Sequence, residues 1–195
     1  MDLGPKMYNA VQRLVVDFDD TYSLLKKEMG FGPGDTVVDI GCGTGLIAEH
    51  FINDGVRYVG IDTAAERIAF AKELHPQGEF YCEDVRRLSN KLSFRYTLMH
   101  GVLHHLSDGN ARDILEFLAT QDCRSFAALE PERPGPGWQH LLGHLYCVLD
   151  RGDFIRSKQG YDGLLPSGKS WRVVRFKRPL VPVNSLVLVA DLNAT

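Results

Sequence analysis

The chain has 195 residues, 44% hydrophobic and 24% charged, with a net charge of -3. That length suits one domain with a sizeable core, and the composition excludes a disordered or fibrous chain. Mild acidity gives no basic field for nucleic acid or an anionic membrane, and no run nears the roughly 20 apolar residues of a membrane span.

Met7, Val11, Leu14, Val15, Phe18, Tyr22 and Leu25 recur at intervals of three and four, which predicts one amphipathic helix near the N-terminus. "GFGPGD", from Gly30 to Asp35, ends it with turn chemistry. Strands at Thr36–Ile40, Tyr58–Ile61, Phe80–Cys82, Phe94–Met99 and Ser125–Leu129 then alternate with helices at Leu46–Asn53, Ala64–Leu74 and Ala111–Ala119. Continuous apolar strands separated by helices predict an α/β fold, a doubly wound and mainly parallel Rossmann-like sheet. Past Pro131 the rhythm changes. The loop "PERPGPGW" leads to a helix expected over Gln139–Leu149. Trp171–Phe176 and Leu186–Ala190 lie too close together for a crossover helix, so an antiparallel edge hairpin is expected, for about seven strands. The organisation expected is a single domain over residues 1–195. A helix covering the site (1–30) precedes a cofactor-binding core (31–130), an acceptor-side insertion (131–170) and the edge hairpin (171–195).

"VVDIGCGTGL", Val37 to Leu46, carries the chemistry. Ligands of open α/β sheets sit beyond the carboxyl ends of the strands, where the strand order reverses, and this loop would lie there. Asp62 ends the second strand about 20 residues on, where an acidic group can take ribose hydroxyls. A dinucleotide fits poorly. Its fingerprint G-x-G-x-x-G/A needs a small residue at position 46, which is Leu46, and Asp39 would face a pyrophosphate with like charge. An aspartate there favours a ligand with a positive group. S-adenosylmethionine has one, with a ribose and an adenine, so Asp39, Asp62 and Asp84 match its three parts.

"VVDIGCGTG", then "YVGID", "YCEDV" and "YTLMHGVLHHL", resembles the class I S-adenosylmethionine-dependent methyltransferases, the last segment being most similar to their small-molecule branch. The resemblance covers Thr36 to Glu130. It implies that Asp39, Gly41, Cys42 and Gly43 contact the methionine part, Asp62 and Thr63 the ribose, and Asp84 and Val85 the adenine. His100 and Gly101 would line the sulfonium side. The product would be S-adenosylhomocysteine. Asp84 has a plainer role open to it, as a helix cap.

Methyl transfer asks mainly for alignment and exclusion of water, while a hydroxyl acceptor also wants a base, for which histidine is suited. His105, or its neighbour His104, is the candidate; the pair can equally cap the next helix or pack against the loop. His140 and His144, near Cys147, share a helix face without amounting to a metal site, and no metal is expected. Tyr8, Phe18, Tyr22, Trp138, Tyr146 and Phe154 can enclose a small acceptor, some of them being core instead. "DRGDFIRSKQGY", Asp150 to Tyr161, reads as a solvated connector. The absence of an NPPY-like motif after the fourth strand argues against a nucleic-acid acceptor. Four scattered cysteines and the lack of a signal-like N-terminus point to a cytoplasmic protein. Alternatives remain: a protein that binds the cofactor without methyl transfer, one that uses its charge for cyclisation or elimination, or a nicotinamide oxidoreductase. The acceptor, the atom methylated and the oligomeric state are left open.

Overall fold

The computed structural model describes residues 4–137, 141–143, 152–169, 171–177 and 183–192. Seven strands form one sheet: β1 (Thr36–Ile40), β2 (Arg57–Asp62), β3 (Glu79–Cys82), β4 (Tyr96–His100), β5 (Ser125–Pro131), β6 (Arg172–Lys177) and β7 (Asn184–Ala190). Their order is β3-β2-β1-β4-β5-β7-β6, with β1 to β5 parallel and β7 antiparallel to both β5 and β6. The doubly wound sheet with its antiparallel edge hairpin is therefore present. The order reverses between β1 and β4, so the crevice of this fold opens beyond their carboxyl ends.

The helices around it include α1 (Pro5–Val15), α2 (Phe18–Met29), α3 (Ala48–Asn53), α4 (Ala65–Leu74), α5 (Asp108–Ala119) and a short helix, Lys158–Asp162. Adjacent residues of β1 serve opposite cores. Val37 joins Leu25, Phe51, Tyr58 and Ile68 beneath α2, α3 and α4. Val38 and Ile40 join Met99, Leu115, Phe126 and Trp171 beneath α5. Period-two alternation in a strand covered on both faces produces this division and the nearly continuous apolar runs.

The single N-terminal helix expected over 1–30 is instead two. The chain leaves helical geometry at Val16 and Asp17, and Asp17 accepts the Asp20 amide at 3.0 Å as the cap of α2. A capping aspartate followed by two more acids in the first turn starts a helix more favourably than it continues one, although the apolar spacing runs across the break. Gly30 closes α2 with φ 77°. Other boundaries move by a few residues, the largest shift being α5, which begins at Asp108 because Ser107 caps it.

The stretch expected to be a solvated connector is mixed in its described part, half of it exposed and three residues reaching the core. Ile155, Arg156 and Tyr161 are buried. The Tyr161 hydroxyl donates to Pro131 O at 3.0 Å, and Trp171 Nε1 donates to Tyr161 O at 3.0 Å. Satisfied polar atoms let Arg156 and Tyr161 sit inside. The helix expected over Gln139–Leu149 lies outside the described residues except for 141–143, as do His140, His144, Cys147, Trp138 and Tyr146. Among the described residues, no helix is long and apolar enough to cross a membrane.

Candidate active site

The glycine loop after β1 is tied to the end of β2 by its own amides. Gly41 and Cys42 both donate to Ile61 O, at 2.7 and 3.1 Å, and Gly43 donates to Asp62 Oδ2 at 2.9 Å. Gly45 donates to Cys42 O at 2.9 Å. A phosphate cradle needs several loop amides aimed at the ligand. Here four of them are engaged within the protein. Gly41 has φ 74°, and a Cβ there would stand 2.6 Å from Val102 Cγ2, so only glycine lets this loop approach the turn after β4.

Asp39 and Asp62 border the same loop, and each raises the question of what its carboxylate serves. Asp39 is 2% exposed. Its Oδ2 accepts the Tyr58 hydroxyl at 2.5 Å, while its Oδ1 is buried without a hydrogen-bond partner. Burial pushes the Asp39 carboxyl up to about 7, with the Tyr58 hydrogen bond opposing the rise and the Asp62 charge assisting it. Burial, with the charge of Asp39 beside it, likewise drives the Tyr58 hydroxyl well above its ordinary range. The Cys42 thiol is raised for the same leading reason and is no nucleophile. Asp62 is half-buried, its two oxygens accepting Gly43 N and Ala64 N at 2.9 and 2.8 Å. Each oxygen keeps a lone pair for a further donor. Thr63 follows it, exposed.

Asp84 caps the one-turn 3-10 helix Val85–Leu88, accepting the Arg86 amide at 2.9 Å. The Arg86 guanidinium also holds it, Nε to Oδ1 at 2.9 Å, and brings its carboxyl down to about 2. The capping role weighed for this residue is what its contacts display. Val85 beside it is buried.

At the carboxyl end of β4, His100 is half-buried and meets Phe18 of α2 edge-on, with ring centroids 6.2 Å apart. Gly101 follows it and donates to Leu129 O at 2.9 Å. His104 and His105, on the one-turn helix Leu103–His105, have different surroundings although their rings are 4.1 Å apart. His105 is exposed. His104 is buried, with Nδ1 2.6 Å from Glu130 Oε2. Neither caps α5, which uses Ser107.

Three residues that sequence reasoning passed over shape the region. Glu130, 1% exposed at the end of β5, accepts from the turn that carries His104. Its signal was a lone carboxylate closing the apolar run "FAAL". Asn9 of α1 is buried, and the Thr44 hydroxyl donates to its Oδ1 at 2.6 Å, which brings the first helix down onto the glycine loop. Tyr58 gave no signal, because a strand tyrosine ordinarily reads as core. Of the aromatic inventory, Tyr22 belongs to the core, bonded to Asp54 at 2.7 Å and packed edge-on against Phe51. Phe154 is partly exposed beside Arg156.

Residues 37–120 match the family model described as a methyltransferase domain. The match takes in the glycine loop, β2, β3, β4 and α5. In this chain, 83 residues, 40% of its length, are 34% identical to a ubiquinone biosynthesis O-methyltransferase of Rhodopseudomonas palustris (strain BisB18), of which they cover 32%. A Bradyrhizobium sp. (strain ORS 278) enzyme of the same name is 33% identical over 82 residues. The chain thus spans about a third of the length of these curated relatives. Its fold is that of the magnesium protoporphyrin IX methyltransferase of Synechocystis PCC 6803, solved with bound S-adenosylmethionine (TM-score 0.62, 19% identity, covering 89% of this chain and 77% of that one). The plantazolicin methyltransferase solved with S-adenosylhomocysteine has TM-score 0.68 at 14% identity, over 95% and 90% of the two chains.

Proposed function

We propose that this protein is a class I methyltransferase that binds S-adenosylmethionine and transfers its methyl group to a small-molecule acceptor. One observation carries the reading: two carboxylates flank a glycine loop whose amides are already engaged. The orphaned Oδ1 of Asp39 suits an ammonium, and Asp62 has lone pairs for a diol. A phosphate would meet negative charge and few unused amides.

In this reading Asp39, Gly41, Cys42 and Gly43 hold the methionine part, the loop residues through backbone and close approach. Asp62 and Thr63 hold the ribose. Asp84 and Val85 flank the adenine, with Arg86 keeping the Asp84 carboxylate in place. His100 and Gly101 border the reacting side. When bound, the cofactor supplies a methyl group already activated on a sulfonium. The protein then contributes alignment and a dry crevice. α1, tied through Asn9 to Thr44, and Phe18, set against His100, cover the crevice from above. His104 joins His105 as a candidate for the base, its buried ring being held by the Glu130 carboxylate. The small-molecule enzymes among the relatives, and the absence of a basic field, favour a small acceptor.

Titration calorimetry with S-adenosylmethionine tests the first half, with heat of binding expected for the wild type and little for Asp62→Asn. S-adenosylhomocysteine release in the presence of candidate hydroxyl- and amine-bearing acceptors tests the second. Absence of binding by the wild type refutes the whole reading. Binding with no turnover across a broad acceptor panel favours a cofactor-binding protein without methyl transfer.

A further inference from the structure

The turn between β4 and α5, residues 102–106, is held from two sides by buried charges. The amides of Val102, Leu103 and His104 donate to the Glu130 carboxylate at 3.1, 2.8 and 3.2 Å. Its carbonyls are taken by the acceptor-side segment. Arg156 donates to Leu103 O through Nη1 and to Leu106 O through Nη2, each at 2.7 Å, and the Phe154 amide donates to His104 O at 3.0 Å. Asp108, at the start of α5, accepts from Nη2 at 2.7 Å. Arg156 is 7% exposed, and its guanidinium lies over the Phe154 and Tyr161 rings, 5.6 and 5.9 Å from their centroids.

The first residue of the turn touches the glycine loop. A Cβ at Gly41 would stand 2.6 Å from Val102 Cγ2, so the valine methyl already fills the space beside the Gly41 backbone. Gly41 has φ 74°, and from that conformation the Gly41 and Cys42 amides reach Ile61 O. The path from Arg156 to the loop is therefore short and made of direct contacts: guanidinium, two carbonyls, valine methyl, glycine backbone. The start of α5 asks little of it, because Ser107 caps that helix. What Arg156 fixes is the height of the turn above the loop. A lysine could not do the same, since one ammonium lacks the planar fork that meets two carbonyls and a carboxylate together.

We propose that Arg156 is a positioning residue for the cofactor loop: by holding the Leu103 and Leu106 carbonyls it seats Val102 against Gly41, so that the acceptor-side segment sets cofactor affinity. Without the guanidinium the turn rises, Val102 withdraws, and the loop loses the wall that fixes Gly41. The effect on affinity rests on the reading that this loop binds S-adenosylmethionine; the link from Arg156 to the loop does not.

The test is a double-mutant cycle on the full chain, read by calorimetry with S-adenosylhomocysteine. Arg156→Gln should weaken binding about tenfold, and Arg156→Lys less. In a Val102→Ala background the methyls that carry the effect are gone, so Arg156→Gln should change affinity by less than about twofold. Additive losses overturn the proposal, because a general loosening lowers affinity in both backgrounds alike. Unchanged binding by a folded Arg156→Gln overturns it too. Should that variant fail to fold, Arg156→Lys, which keeps the charge, enters the same cycle. Hydrogen exchange without ligand reads the link directly: the Gly41 and Cys42 amides should exchange faster in either Arg156 variant, while those of β7 keep their rates. Equal rates at Gly41 and Cys42 in wild type and variant overturn the link. A wild type that binds no S-adenosylhomocysteine refutes the cofactor reading alone, and the exchange rates then decide.

Discussion

In the proposed reading Asp39 holds the ligand ammonium, and its raised carboxyl should couple cofactor affinity to pH. Its carboxyl moves from 3.8 to about 7, led by burial, so carrying the charge in the folded protein without a ligand costs about 4 kcal/mol. A ligand ammonium against Oδ1 stabilises the charged form, so binding expels the proton. With a midpoint near 7, about a tenth of the sites are ionised at about pH 6 and about nine-tenths at about pH 8. S-adenosylhomocysteine should therefore bind about tenfold more tightly at the higher pH. Calorimetry in buffers of different ionisation enthalpy should find about half a proton released per ligand near neutrality. Asp39→Asn keeps an oxygen for the Tyr58 hydroxyl but cannot ionise, so it should bind weakly at both pH values and release no proton from this site. It also carries any titration of the ligand itself. The sign for stability is opposite. The folded state keeps this proton while the unfolded chain loses it, so without ligand the wild type should lose stability from about pH 4 to about pH 7 and level off above. The Asn variant should be the more stable protein at about pH 8, by at most about 4 kcal/mol. Superimposable pH profiles of affinity for wild type and variant would refute the reasoning.

Tyr58→Phe removes the hydrogen bond that favours the charged carboxylate, so the midpoint of the affinity profile should move to higher pH; an unmoved or lowered midpoint contradicts this. Gly41→Ala places a Cβ 2.6 Å from Val102 at φ 74°, and urea denaturation should report a loss of about 1–3 kcal/mol, partly recovered by adding Val102→Ala. Asn9→Ala leaves the buried Thr44 hydroxyl without its partner, costing about 1–3 kcal/mol. Hydrogen exchange should then quicken in α1 while α2, anchored by Leu25 and Met29, keeps its protection.

The path from sequence to fold was short where the determinants are local. Strand and helix alternation, the turn at Gly30–Asp35 and the hairpin spacing are periodic or punctuating signals, and the sheet follows from them. The break between α1 and α2 was missed because an apolar stripe continues across it; a cap at Asp17 outweighs the stripe. Charge in Asp150–Tyr161 ordinarily means solvent, and half of the described stretch is exposed, whereas Arg156 is buried with every donor group facing a carbonyl, a carboxylate or an aromatic ring. Asp39 and Asp62 were legible from their places at strand ends. Their unequal states, one buried and half-partnered, the other half-exposed and holding loop amides, were not.

By itself the sequence determined that a parallel sheet forms, that a glycine loop lies at its switch point, and that acidic side chains stand at the tips of β1 and β2. These are matters of spacing within short segments, where the chain's own periodicity decides. Only the tertiary structure decided that Tyr58 meets Asp39, that Asn9 reaches Thr44 across 35 positions, and that Glu130 and Arg156 converge on the turn Leu103–Leu106 from further along the chain. Partnerships over such distances depend on which strand lies beside which and on what burial leaves unsatisfied. Those conditions exist only once the sheet has assembled.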